Sequence, residues 1–233
     1  MIGQDNRIDS SLPRNARRYK YESLILPVSL ILYGVAGLES QPLRSLNLNT
    51  RLEIREHIDQ KFSIDDFSQY SPFLAVYGLN ALGLKGRHNL GERTLILGSA
   101  YILMGSAVNI IKRTGPVERP DRTANNSFPS GHTATAFMGA EFLFQEYKSE
   151  SVWYGVAGYV VAAGTGFFRM YNDRHWLTDV VAGAGIGILS TKVAYLIYPY
   201  LKRKIFKGKS KLSGIVLPYF NGSAYGLQVA VAF

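Results

Sequence analysis

Residues 95–111 read LILGSAYILMGSAVNII, and residues 152–168 read VWYGVAGYVVAAGTGFF; each is a run of 17 residues without a charge. A membrane span takes about 17–25 mostly apolar residues, so both runs reach the lower limit. Working outward, four more apolar segments lie near 23–38, 71–84, 131–145 and 178–200. The 71–84 and 131–145 segments are short, the latter carries Glu141, and the long 178–200 segment carries Lys192. Glycine is dense in the last two segments. Gly183 and Gly187 have the spacing that lets helix backbones approach closely in lipid. The expected fold is all-α, a six-transmembrane-helix bundle.

Composition fits that reading. Charged residues make up 18% of the 233, against about 25% in soluble domains. Cysteine is absent, which excludes disulfides, thiolate metal sites and a Cys nucleophile. The net charge of +9 calls for an acidic partner. No groove-reading helix or aromatic-basic interleaving points to nucleic acid, so an anionic membrane surface or a phosphate substrate is expected instead.

Three parts surround and complete the bundle. Residues 1–21 form a basic N-terminus with Arg7, Arg14, Arg17, Arg18 and Lys20, without the apolar core of a signal peptide. Residues 22–201 hold the membrane domain. Within it, Thr50–Phe62 sets Leu52, Ile54, Ile58 and Phe62 among charges, an amphipathic interfacial helix whose His57 reads as a surface histidine. Residues 202–233 form a basic tail and a short β-hairpin, in which GIVLPYF and SAYGLQVAVAF flank Asn221-Gly222.

The chemistry concentrates in three clusters: Lys112 to Arg119-Pro120, Ser127-Phe128-Pro129-Ser130-Gly131-His132-Thr133, and Arg169, His175 and Asp179. Charge at the ends of apolar segments is expensive and marks function by default. Lys112, Arg119 and Arg169 compose a triply cationic pocket suited to a phosphate dianion. A helix opening at Ser130-Gly131 offers free N–H groups to that anion. His175 and Asp179 are four apart, on one face of a helical turn. A carboxylate on one ring nitrogen leaves the other free to attack, and His132 can protonate the leaving alkoxide. Arg113, Arg122 and Arg174 read equally well as topology signals.

The three clusters resemble the signature of the type-2 phosphatidic-acid phosphatase superfamily, K-x6-R-P, P-S-G-H and S-R-x5-H-x3-D. Lys112 to Pro120 and Pro129 to His132 match in full. The third match has Phe168 where the family usually has Ser, so one hydroxyl is missing there. The resemblance covers residues 112–187, and the six-segment plan extends it. It implies the integral-membrane lipid phosphatase branch, with catalytic His175, His132 and Asp179. Phosphate-binding residues are then Lys112, Arg119, Ser130, Gly131 and Arg169, with a phosphohistidine intermediate and no metal or cofactor. Phosphatidic acid, phosphatidylglycerophosphate, undecaprenyl pyrophosphate and lipid A phosphate all fit. The alternative is a soluble periplasmic acid phosphatase of the same superfamily.

Lys and Arg set the orientation. In the six-span plan, fifteen lie on the side of the N-terminus, the 85–93 and 146–151 loops and the tail, ten lie on the opposite side, and Lys192 lies within a span. The positive side faces the cytoplasm. Loops 112–130 and 169–177 then face the periplasm across a bacterial inner membrane. Single cysteines at Asn125 and Ser210 test this. A membrane-impermeant thiol reagent on spheroplasts should label the first and spare the second, and the reverse pattern overturns the orientation.

Overall fold

The structure, a computed structural model, describes residues 22–56, 62–206, 213–220 and 225–232. The basic N-terminus, His57, the second half of the 202–211 basic run and the Asn221-Gly222 turn lie outside the described residues. The described helices are α1 Ile25–Ala36, α2 Gln41–Arg55, α3 Ile64–Ser68, α4 Ser71–Ala81, α5 Leu90–Thr114, α6 Gly131–Tyr147, α7 Val152–Tyr171 and α8 Leu177–Phe206.

The chain divides into two units at residue 196. The second holds the end of α8 and two antiparallel strands, β1 Ser213–Phe220 and β2 Tyr225–Ala232, paired from Ser213 with Ala232 to Phe220 with Tyr225. Everything that follows concerns the first unit.

Each of the six apolar segments holds a helix. Among the described residues, only Leu90–Thr114 and Leu177–Lys204 are long and apolar enough to cross a membrane. The 12 residues of α1 and the 11 of α4 rise about 17 Å, short of a hydrocarbon layer about 30 Å thick.

Local chemistry sets the helix starts. Asn89 caps α5 through a reciprocal box with Glu92. Ser130 caps α6 by accepting from the Thr133 amide, and Ser151 caps α7 by accepting from Trp153. The interfacial helix expected at 50–62 instead begins at Gln41, where Pro42 occupies the first turn, and ends at Arg55. Its polar side faces the protein. Asn47 exchanges bonds with Thr178 at 2.9 and 3.2 Å, and Arg51 clasps Asp173 at 2.6 and 2.7 Å. Leu46, Leu48 and Leu52 are exposed.

Helix α6 is the central element, with α4, α5 and α7 packed along it. Buried residues run down nearly all its length, from Thr133 to Tyr147. On another side lies α8, and the contact is backbone against backbone. A Cβ on Gly183 would stand 2.5 Å from the Ser130 carbonyl oxygen. One on Gly187 would collide with the Ala134 carbonyl and reach 2.7 Å from the Met138 nitrogen. Only glycine permits this approach.

The charges that interrupt the apolar segments find each other. Lys192 of α8 meets Glu141 of α6 at 2.9 Å, and the Tyr159 hydroxyl of α7 donates to the same carboxylate. At the end of α6 away from Ser130, Glu146 accepts from Tyr195 at 2.6 Å and bonds His88 at 2.7 Å. Buried charge is tolerated only when paired in this way.

The outer surface is apolar. Ile102 and Ile110 of α5, Trp153 and Val160 of α7, and Ile25, Leu26 and Leu32 of α1 are each more than 60% exposed. Such a surface is unstable against water and marks contact with lipid or another apolar phase.

The glycine contact yields a test. Gly187→Val should destabilise the helical unit by about 3 kcal/mol through overpacking. Gly164→Ala, which faces open space, should stay within about 1 kcal/mol of the parent. Thermal unfolding in detergent measures both, and equal melting temperatures would refute the close contact.

Candidate active site

Three segments converge at the Ser130 end of α6. The loop from Gly115 to Pro129 leaves α5, Ser130 and Gly131 open α6, and residues 169–176 join α7 to α8. Cross-links hold them together. The Ser130 amide donates to the Asp179 carbonyl at 3.0 Å, the Trp176 indole to the Glu118 carbonyl at 2.9 Å, and the Asp121 amide to the Asp173 carbonyl at 3.2 Å. Arg174 adds an ion pair to Asp121 at 3.1 Å.

His175 is buried, with its Nδ1 3.5 Å from Asp179 Oδ2. That distance gives electrostatic attraction and is too long for a strong hydrogen bond. The Ser127 hydroxyl bridges the pair. It donates to Asp179 Oδ2 at 2.5 Å and lies 3.5 Å from His175 Nδ1. The Trp176 amide donates to the same carboxylate oxygen at 2.9 Å. The arrangement is therefore a His175–Ser127–Asp179 cluster. It turns Nδ1 toward the acid and leaves Nε2 for chemistry.

Burial, opposed by the attraction of the Asp179 carboxylate, pushes the His175 ring down to about 4, so the ring is uncharged at neutral pH.

The cations lie around this cluster. Lys112 donates to the carbonyls of Asn126 and Ser127, so its ammonium pins the loop that delivers Ser127. Arg169 is buried and paired with Asp65 at 2.5 Å. Burial, with the charges of Arg169 and Arg174, lowers the Arg119 guanidinium from its usual value. Both Arg119 Nε and Arg169 Nε are buried donors without an acceptor among the described residues. A cavity of about 470 Å³ is lined by Arg119, Arg169, Arg174, His132, Asp65 and Asp66. Three guanidinium groups against two carboxylates make it a site for an anion.

Ser130 and Gly131 sit as expected at the mouth of α6. The Ser130 hydroxyl is engaged with Thr133, 2.8 Å from its Oγ1. Gly131 has room for a side chain, its nearest neighbour being Val108 at 3.8 Å. Phe168 packs edge-on against Phe167 and Tyr171.

The acids of this site escaped the sequence reading. Asp65 and Asp66 belong to the five-residue helix α3, whose only signal is a doublet of acids. Asp65 binds Arg169 and, at 2.8 Å, Asn172. Asp66 binds His132 Nε2 at 2.9 Å. Among the described residues Asp65, Asp66 and His132 are the group that could hold a metal ion. A cation there must displace the Arg169 guanidinium already bound to Asp65.

Residues 93–203 match the PAP2 superfamily. The lipid A 1-phosphatase of Porphyromonas gingivalis is 42% identical over 175 residues, which cover 70% of this chain and 38% of that protein. The chain thus spans about two fifths of that relative's length. The crystal structure of Aquifex aeolicus LpxE has a TM-score of 0.51 and 24% identity, over 65% of this chain and 95% of the other. The fold is shared.

His175 supplies a test. In protein labelled with nitrogen-15 at histidine, its ring should remain neutral from pH 8 to pH 5 and take up a proton only near pH 4. A midpoint near the ordinary histidine value of about 6.5 would show that burial does not control it.

Proposed function

The chain belongs to the PAP2 superfamily, and from that premise we propose that it is a membrane-embedded phosphatase that hydrolyses a lipid phosphate ester through a phosphohistidine. The observation that carries the proposal is a buried histidine, backed by Ser127 and Asp179, whose amide bonds the carbonyl of Arg169, one of three arginines that line a cavity. In this reading the cavity receives the phosphate that His175 attacks.

In this mechanism Arg119, Arg169, Lys112 and the amides at Gly131 hold the phosphoryl oxygens. His175 Nε2 attacks phosphorus, and the bond to the lipid oxygen breaks. His132 gives its proton to the departing alkoxide. Water, giving a proton back to His132, then attacks the phosphohistidine and releases inorganic phosphate and free His175. Asp179 and Ser127 stabilise the imidazolium character that develops on His175. The fixed cations provide the charge stabilisation for which other phosphatases use metal ions.

The substrate side rests on two features. The exposed apolar faces of α1, α5 and α7 favour a lipid setting over the soluble acid phosphatase alternative. The lipid A 1-phosphatase activity of the Porphyromonas gingivalis relative puts lipid A phosphate ahead of undecaprenyl pyrophosphate, phosphatidylglycerophosphate and phosphatidic acid. Residues 22–201 form the phosphatase domain of a multi-pass protein of the bacterial inner membrane, the site opening to the periplasm. The basic terminus and the 202–233 tail lie on the cytoplasmic side.

Phosphate release by the purified protein across those four lipids tests the proposal. Lipid A 1-phosphate should be hydrolysed fastest, EDTA should leave the rate unchanged, and His175→Ala should lose at least about 10³-fold in kcat while keeping its melting temperature. Retention of more than about 1% activity in His175→Ala, or restoration of an EDTA-treated enzyme by magnesium, would overturn the mechanism.

A further inference from the structure

The general acid in a cationic site faces a conflict. His132 must carry a proton to give it away, yet Arg119, Arg169 and Arg174 line the same cavity and disfavour a charged ring. Two acids face His132 there, both from α3. Asp65 is committed elsewhere, to Arg169 at 2.5 Å and Asn172 at 2.8 Å. Asp66 is directed at the histidine itself, its Oδ1 2.9 Å from Nε2, with Arg169 more distant at 3.9 Å.

We propose that Asp66 is a positioning residue for His132, an acid–histidine pair that holds the proton donor of the reaction in register. The proposal rests on the phosphatase reading above. With Nε2 bound to Asp66, the proton for the leaving oxygen comes from Nδ1. The ring donates from its imidazolium form and is recharged when water gives Nδ1 a proton in the second step. No group is consumed, and Asp66 remains a carboxylate throughout.

The helix that carries Asp66 is secured for this role. Its backbone carbonyl accepts from the Gln69 side chain at 2.9 Å. Ser68 bonds Thr165 of α7 at 2.8 Å, and Asn172 exchanges bonds with both backbone groups of Phe62 at 2.7 and 3.1 Å. A mere surface ion pair would not need such anchoring. Since the Asp66 side chain is about half exposed, the pair adds little to stability, and its loss should not unfold the protein.

The reaction offers a readout that a structural role would not move. A departing alkoxide needs the proton, whereas a departing phosphate does not. Farnesyl monophosphate and farnesyl pyrophosphate present these two leaving groups on one lipid. Asp66→Asn should lower kcat about 10²-fold on the monophosphate, within the usual range for a lost general acid. On the pyrophosphate the loss should be no more than about 5-fold, with KM unchanged in both cases. Asp66→Glu should recover most of the monophosphate rate. Equal losses on the two substrates, or a rise in KM alone, overturn the proposal. Nitrogen-15 spectra of the His132 ring give a reading that needs no turnover. The ring should change on Asp66→Asn, and an unchanged ring overturns the pairing. A wild-type protein inert on both farnesyl lipids and on lipid A 1-phosphate, with a ring that does change, counts against the phosphatase reading and leaves the pairing upheld.

Discussion

The contact between the start of α6 and the start of α8 is the constraint on which the rest depends. Gly183 and Gly187 let the two backbones touch, and the Ser130 amide reaches the Asp179 carbonyl at 3.0 Å. That single bond sets the mouth of one helix beside the first turn of another. His132 and Asp179 are thereby delivered to one place from positions 47 residues apart. Any side chain at these glycines pushes apart the elements that share the phosphate. The small residues of α8 are therefore as much a part of the chemistry as the histidines.

How far the sequence was legible follows from the range of each interaction. The His175–Asp179 pair, the Ser130 cap and the basic cluster from Lys112 to Arg119 depend on spacings of a few residues, and local pattern displays them. The acids do not announce themselves. Asp66 meets His132 across 66 positions, and Asp65 meets Arg169 across 104, so their partners exist only in the fold. The same holds for the partners of Ser127, which opens the second cluster in the sequence and proves to bridge histidine and aspartate. The boundary of α2 was missed for another reason. Its polar side faces the protein and its leucines face out, so a pattern read for water places the helix too late.

Opposing charges give the site its tension. Several of the cations around the cavity are already partnered: Lys112 by carbonyls, Arg169 by Asp65, Arg174 by Asp121. These partners satisfy the cations while the cavity is open to water, at the cost of competing with the substrate. The buried Nε groups of Arg119 and Arg169 are the exception, and they fix the direction from which an anion gains most.

The pairing of Glu141 with Lys192 has a consequence for biogenesis. Helix α6 carries Glu141, and its partner Lys192 is supplied by α8. An unpaired carboxylate is costly in hydrocarbon. Were α6 to lie in a bilayer, Glu141 would be neutralised only once α8, made some 50 residues later, brings Lys192 beside it, so the two helices gain from entering lipid together.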